Sequence, residues 1–273
     1  MPCSEGFEEV TWMPLFVQYS LGAALLLALL LSLLSFFVVV HNWSFLGVGI
    51  SHAAFGGVAL GFLLGVPPDI PALVFAMGAG LTIGLVKRKW GLHEDVAIGI
   101  IFSSAMGLGV VLFSMSKGYT SDAFSYLFGN ILTLTKGDLI AIAVVTLLAY
   151  LFVGIFLKGL LLMALNEELA YSRGLPVDFL YYSLLVILAL AVVLAIKLVG
   201  VILVTALVVA PASVALRFLT GYRGIFFLSI GVGLGVNGMG LAAAYLLDFP
   251  PGATMAIIAG LVFFLSLFIP SPH

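Results

Sequence analysis

The stretch from Asn42 to Gly65, NWSFLGVGISHAAFGGVALGFLLG, is apolar enough to enter a bilayer, yet it carries an imidazole at His52. An ionisable side chain inside a span is costly unless it faces protein, water or a ligand. His52 therefore reads either as a packed, hydrogen-bonded histidine or as a metal ligand. Gly57, Gly61 and Gly65 follow at intervals of four, which on a helix makes one ridge of small residues that another helix can approach closely. A polar handle beside such a ridge points to a pathway at a helix interface.

Other chemistry is scarce. Glu94 and Asp95 stand where a helix should begin, and carboxylates are stabilised there whatever their function. His93-Glu94 lacks the second histidine of an HExxH metalloprotease motif, and there is no Gly-x-Ser-x-Gly, Walker-type loop or pair of intramembrane aspartates. The single cysteine, Cys3, excludes an intrachain disulfide and a cysteine-based zinc cluster. Nothing reads as catalytic.

The elements that must position His52 are membrane helices. Of 273 residues, 63% are hydrophobic and 8% charged, against roughly 25% charged in a soluble domain. The mean hydropathy is +1.31. Apolar runs of span length recur throughout, so the fold class is an all-α, polytopic membrane bundle. We expect about nine spans, at residues 15–40, 43–65, 70–86, 96–115, 138–157, 179–196, 200–216, 224–247 and 252–269. The segment Val66-Pro67-Pro68-Asp69 closes the second, a tight reversal near Lys197–Gly200 divides residues 179–216, and Pro211 should kink the seventh. Gly80/Gly84 and Gly231/Gly235 read as further close-packing pairs, and Lys197 as a residue reaching for the surface. No polar region is long enough for an ATPase or other soluble module, and no basic cluster suggests nucleic acid. The N-terminus lacks a basic n-region, so the first span is expected to be retained.

Charge placement gives an orientation. With the N-terminus outside and the C-terminus inside, Lys87, Arg88, Lys89, Lys158, Arg173, Arg217 and Arg223 become cytoplasmic, while Lys117 and Lys136 face out, as the positive-inside rule prefers. The acidic N-terminal residues Glu5, Glu8 and Glu9 agree. In the linker near residues 166–175, Asn166 is a good N-cap, Glu167 and Glu168 suit a first turn, and Gly174 with Pro176 signals a stop. The short helix between them reads as a docking surface or as a linker resting on the lipid interface.

Ser44-Phe45-Leu46-Gly47-Val48-Gly49-Ile50-Ser51-His52-Ala53, continuing through Gly57-Val58-Ala59-Leu60-Gly61, resembles the signature of the zinc/manganese-type ABC importer permeases. Further blocks follow in order: Glu94 to Ile100, Tyr126 to Leu132, Glu168-Leu169-Ala170 with Gly174, Val199 to Val204, Ala210-Pro211-Ala212, and Pro250-Pro251-Gly252-Ala253. The resemblance covers nearly the whole chain. It implies a type II importer fold in the cytoplasmic membrane, two permease copies forming the path, separate cytoplasmic ATPase subunits and an extracytoplasmic metal-binding protein. The cargo would be a divalent transition metal, zinc or manganese, with no permanently bound cofactor and no enzymatic activity in the permease. His52 would face the metal path. Glu167, Glu168, Ala170, Arg173 and Gly174 would couple to the ATPase, and Gly57, Gly61 and Gly65 would pack helices.

One departure stands out. The family has an aspartate four residues before the signature histidine, one turn away on the same face, and here that position is Val48. A secondary carrier or channel is the alternative reading, but it calls for intramembrane carboxylates or broken helices in paired positions, and Asp69, Asp138 and Asp248 all lie at span ends.

Overall fold

A computed structural model of the chain describes residues 15–116, 125–130 and 134–270. Cys3, the acidic N-terminal residues, Lys117, Tyr119, Phe124, Ile131 and Leu132 lie outside the described residues. Every regular element described is helical: α1 (Leu15–Val40), α2 (Leu46–Leu64), α3 (Asp69–Trp90), α4 (Glu94–Met115), α5 (Lys136–Leu165), α6 (Glu167–Ser172), α7 (Val177–Val199), α8 (Val204–Phe218), α9 (Tyr222–Leu247) and α10 (Pro251–Phe268). Eight of these are long and apolar enough to cross a membrane, and α8 is a shorter apolar helix. About nine crossings is the architecture.

Helix ends follow local chemistry. Gly65 closes α2 at φ +66° and Gly91 closes α3 at φ +64°, the left-handed conformation that glycine adopts without a Cβ clash. Asp69 lies in the first turn of α3 and Lys87, Arg88 and Lys89 in its last, matching the helix dipole at both ends. Thr135 and Asp138 form a reciprocal capping box that starts α5. Lys158 does not end α5, which runs on to Leu165. Its long stem lets one charge stay in an otherwise apolar helix.

Packing falls into two groups. α2 lies against α3 and α4, and α1 lies against α5, α8 and α9, while α7 touches both groups. The α1 sequence carries no charge, as suits a helix enclosed on several sides. The α2 ridge works at two of its three glycines. A Cβ on Gly57 would sit 2.7 Å from Ala72 Cα and press on the Pro71 carbonyl, and one on Gly61 would sit 2.7 Å from Pro68 Cα. Gly65 makes no such approach, with open space around its Cβ position; it is a cap, because α2 has already turned away from α3. Gly84 is tight against α7, whereas Gly231 faces open space and Gly235 makes only ordinary contact. On α9 the close approaches are made by two other glycines: Gly233 meets Ser32 of α1 and Gly240 meets Met255 of α10.

α8 departs from the expected seventh span. Its 15 residues span about 22 Å, short of the roughly 30 Å hydrocarbon core. Residues 201–203 stay out of the helix because Val201 N–H donates to the Tyr126 carbonyl (3.0 Å) and Ile202 N–H to that of Leu127 (3.4 Å). Non-helical backbone at such depth is tolerated when protein groups satisfy it. Gly129 and Gly200, at φ +80° and +95°, allow the two strands of backbone to touch, and Gly252 meets the same point from α10. Three of the blocks that carried the family resemblance thus converge on one junction. Pro211, inside α8, is handled by α1: Ser35 Oγ accepts from Ala212 N–H (3.0 Å) and donates to the Val209 carbonyl (3.4 Å).

Lys197 does not reach for the surface. Its ammonium lies 2.8 Å from Asp69 Oδ2 and 2.7 Å from Asp138 Oδ1. The end of α7 is thereby tied to the starts of α3 and α5, since two carboxylates at close range hold an ammonium better than a long reach to water.

The packing account predicts that Gly57→Ala lowers stability by about 1–3 kcal/mol through overpacking, read as a lower melting temperature in detergent. Gly78→Ala, at a position with no neighbour within 4 Å, should leave the melt unchanged. Equal melts for both variants would contradict the close approach of α2 to α3.

Candidate functional site

His52 stands in the second turn of α2, partly exposed on the same face as Val48. Its Nδ1 lies 2.9 Å from the Val48 carbonyl. A carbonyl only accepts, so Nδ1 carries the proton and donates, and Nε2 keeps its lone pair. Ser51 Oγ donates to the same carbonyl at 3.1 Å. The ring meets Phe102 of α4 edge to face, centroids 4.5 Å apart. No hydrogen bond to Nε2 occurs among the described residues. The backbone of Val48 thus fixes the ring in the tautomer that a metal-binding imidazole needs, although its side chain offers no ligand.

One chain does not complete a metal site. Among the described residues no three His, Cys, Asp or Glu side chains group closely enough to hold an ion. A groove of about 760 Å³ between α5 and α7 is lined by apolar residues such as Phe152, Phe156 and Phe179 and does not include His52.

The short helix α6 lies at the Arg88 end of the bundle. Asn166 Oδ1 accepts from Leu169 N–H at 2.9 Å, the N-cap geometry expected, and Gly174 takes φ +73° to end the turn. The residues anticipated there divide sharply. Ala170 is fully buried, so it anchors α6 and cannot touch a partner. Glu167 is turned inward to Arg88 Nη2, 2.6 Å away. Glu168 and Arg173 are exposed. Leu165 (82% exposed), which the sequence reading did not single out, and Leu169 (42%), part of the Glu168-Leu169-Ala170 block, put apolar surface beside Glu168. Their signal was leucine in a polar linker, next to a helix start.

Around α6 the charged groups form two joined clusters. Arg88, at the end of α3, donates through Nη1 to Tyr171 Oη (2.6 Å) and to Asp178. Tyr171 donates in turn to Asp178 at 2.8 Å, and burial with that bond raises its pKa above the usual phenol value. The Arg88 guanidinium lies 4.1 Å from the centre of the Tyr181 ring, a cation–π contact. Glu94, at the start of α4, accepts from Lys87 Nζ (2.7 Å), Trp43 Nε1 (2.9 Å) and Tyr181 Oη (3.4 Å). Trp43 also stacks on His41, with centroids 4.5 Å apart, and burial pushes the His41 pKa below the ordinary imidazole value. Sequence spacing gave Glu94 only a helix-start role; of its three donors, Trp43 and Tyr181 come from segments far away in the chain and Lys87 from the end of α3.

Comparisons with known proteins agree with this architecture. The chain is 35% identical over 254 residues to the manganese import system permease protein ScaB of Streptococcus gordonii, with 93% of this chain and 91% of ScaB covered. It is 32% identical over 253 residues to a probable iron transport system membrane protein of Haemophilus influenzae, covering 92% and 93%. Among solved structures it superposes on a chain of PsaBC from Streptococcus pneumoniae, determined in complex with a Fab, with a TM-score of 0.84 and 34% identity over 96% of this chain and 94% of that one. The model of the ABC 3 transport family matches residues 13–270, and the chain belongs to that family.

Proposed function

We propose that this protein is the permease subunit of an ATP-driven importer that moves a divalent transition metal across the cytoplasmic membrane. The observation that carries the reading is the near-complete match to the family, with full-length relatives named for manganese and iron transport. Two copies of the chain form the path, two separate ATPase subunits hydrolyse ATP, and an extracytoplasmic binding protein delivers the ion. The N-terminus lies outside and the C-terminus inside, which sets α6 and the basic end of α3 on the cytoplasmic side.

In this reading His52 Nε2 touches the ion as it passes. A neutral imidazole suits zinc, iron and manganese in that order of softness. One imidazole holds a metal weakly, so the second copy's His52 and water complete the shell. Weak binding favours passage, because an ion held too tightly is not released. Val48 in place of the family's aspartate removes a negative charge from the path and leaves selection among these ions to the binding protein. Leu165 at the end of α5, with Glu168 and Leu169 of α6, forms the surface against which the ATPase docks.

Radiometal uptake into vesicles holding the permease, its ATPase and its binding protein tests the function. Wild type should accumulate manganese, zinc or iron only with ATP, and His52→Ala should lower that uptake at least tenfold while still co-purifying with the ATPase. ATP-dependent uptake unaffected by the substitution would remove His52 from the path, and no ATP-dependent uptake of any of the three would overturn the importer reading.

The docking surface makes a separate prediction. Leu169→Asp puts a charge where apolar contact is proposed and should weaken ATPase co-purification about tenfold, with an unchanged melting temperature. Undiminished co-purification would exclude this face.

A further inference from the structure

The two charged clusters at the α6 end are continuous through one side chain, Tyr181 of α7. On one side Arg88 stacks on its ring and grips α6 through Glu167 and Tyr171, and α7 through Asp178. On the other, the Tyr181 hydroxyl reaches Glu94. Glu94 in turn holds Trp43, three residues before the start of α2. Trp43 also meets the Tyr181 ring edge to face at 5.3 Å. An unbroken set of contacts therefore runs from the exposed α6 to the foot of the helix that bears His52.

The inner groups of this set are the shielded ones, while on the α6 side the Glu167 and Asp178 side chains are 41% and 63% exposed. The Arg88 and Glu94 side chains are only 16% and 14% exposed, and Trp43 is 2% exposed. Ion pairs and hydrogen bonds shielded from water resist bending and are costly to break on one side alone. Arg88 is suited to the junction, because its planar fork can serve several acceptors while its face stacks on an aromatic ring. A lysine could meet one or two of those acceptors and would lose the stack. Gly84, one turn before Arg88 on α3, lets α3 come within van der Waals range of Tyr181, which places the guanidinium over the ring.

We propose that Arg88 is a positioning residue that links movement of α6 to movement of α2, through Tyr181, Glu94 and Trp43. This rests on the importer reading, in which α6 takes the push of the ATPase. When α6 shifts, Arg88 carries Tyr181 with it, and Glu94 passes the displacement to the Trp43 turn and so to α2. A chain of contacts couples two sites only if it has two arrangements that both ends bias, so the test must read the far end.

The readout is fluorine NMR of 5-fluorotryptophan in the permease, with Trp43 as its sole tryptophan after Trp12→Phe and Trp90→Phe, assembled with unlabelled ATPase in nanodiscs. Adding ATP with vanadate should shift the Trp43 resonance in this parent, and Arg88→Ala should abolish the shift. In vesicles the same variant should keep ATP hydrolysis but move about tenfold less metal per ATP, with Arg88→Lys intermediate. If Arg88→Ala does not assemble, Glu94→Gln decides, since it leaves every α6 contact in place and should also abolish the shift. A parent-like shift, or parent-like metal moved per ATP, in an assembled variant would overturn the proposal. Failure of the wild-type complex to take up any metal would instead overturn the importer reading, whatever the resonance does.

Discussion

Hydrocarbon has no water with which to satisfy a charge or an open backbone group, and this chain spends its few charges accordingly. Apart from Lys158 within α5, the described charges are gathered toward helix ends, and eight of them are paired there. At one end Lys197 is held between Asp69 and Asp138; at the other, Arg88 and Lys87 are held by Glu167, Asp178 and Glu94. Between these ends the helices meet through small residues and hydroxyls, as at Gly57 against Pro71 and Ser35 against the backbone flanking Pro211. Without a hydrophobic drive between helices in lipid, such close contact is what holds them. His52 is conspicuous because it belongs to neither end.

That isolation shapes how His52 can act. The Val48 carbonyl accepts a hydrogen bond from Nδ1–H, so the orientation of the ring depends on helix backbone and not on the side chain at that position. Exchange of a carboxylate for Val48 removes charge from the path without releasing the imidazole. The proposed path therefore keeps the geometry of its imidazole and loses part of its affinity. The clasp at the opposite end, where Gly129, Gly200 and Gly252 meet, shows that family blocks need not be chemical: here they let irregular backbone from three segments close on itself.

Much of this was legible in the sequence because membrane helices declare themselves by length and composition. The cap at Asn166 and the stop after Gly65, at Val66-Pro67-Pro68-Asp69, follow from single residues and their nearest neighbours. What escaped depended on contacts between distant segments. Lys197 looked unpartnered because Asp69 and Asp138 are far off in the chain, and Glu94 looked like a helix start because its donors come from three other segments. Small-residue spacing overcounts: it proposed Gly65, Gly231 and Gly235 as contacts, yet periodicity cannot tell which face another helix covers. The α6 residues were found as a block, but only burial separates Ala170, an anchor, from Leu169, a surface.

The central claim is that the imidazole of His52 touches the transported ion. Electron spin-echo envelope modulation of Mn²⁺ trapped in the assembled permease measures this directly, since a coordinated imidazole imprints nitrogen modulation on the manganese echo. The account predicts nitrogen modulation in the wild type and its loss in an intact His52→Gln complex. Modulation that survives the substitution, or a wild-type echo showing only water protons, would contradict it.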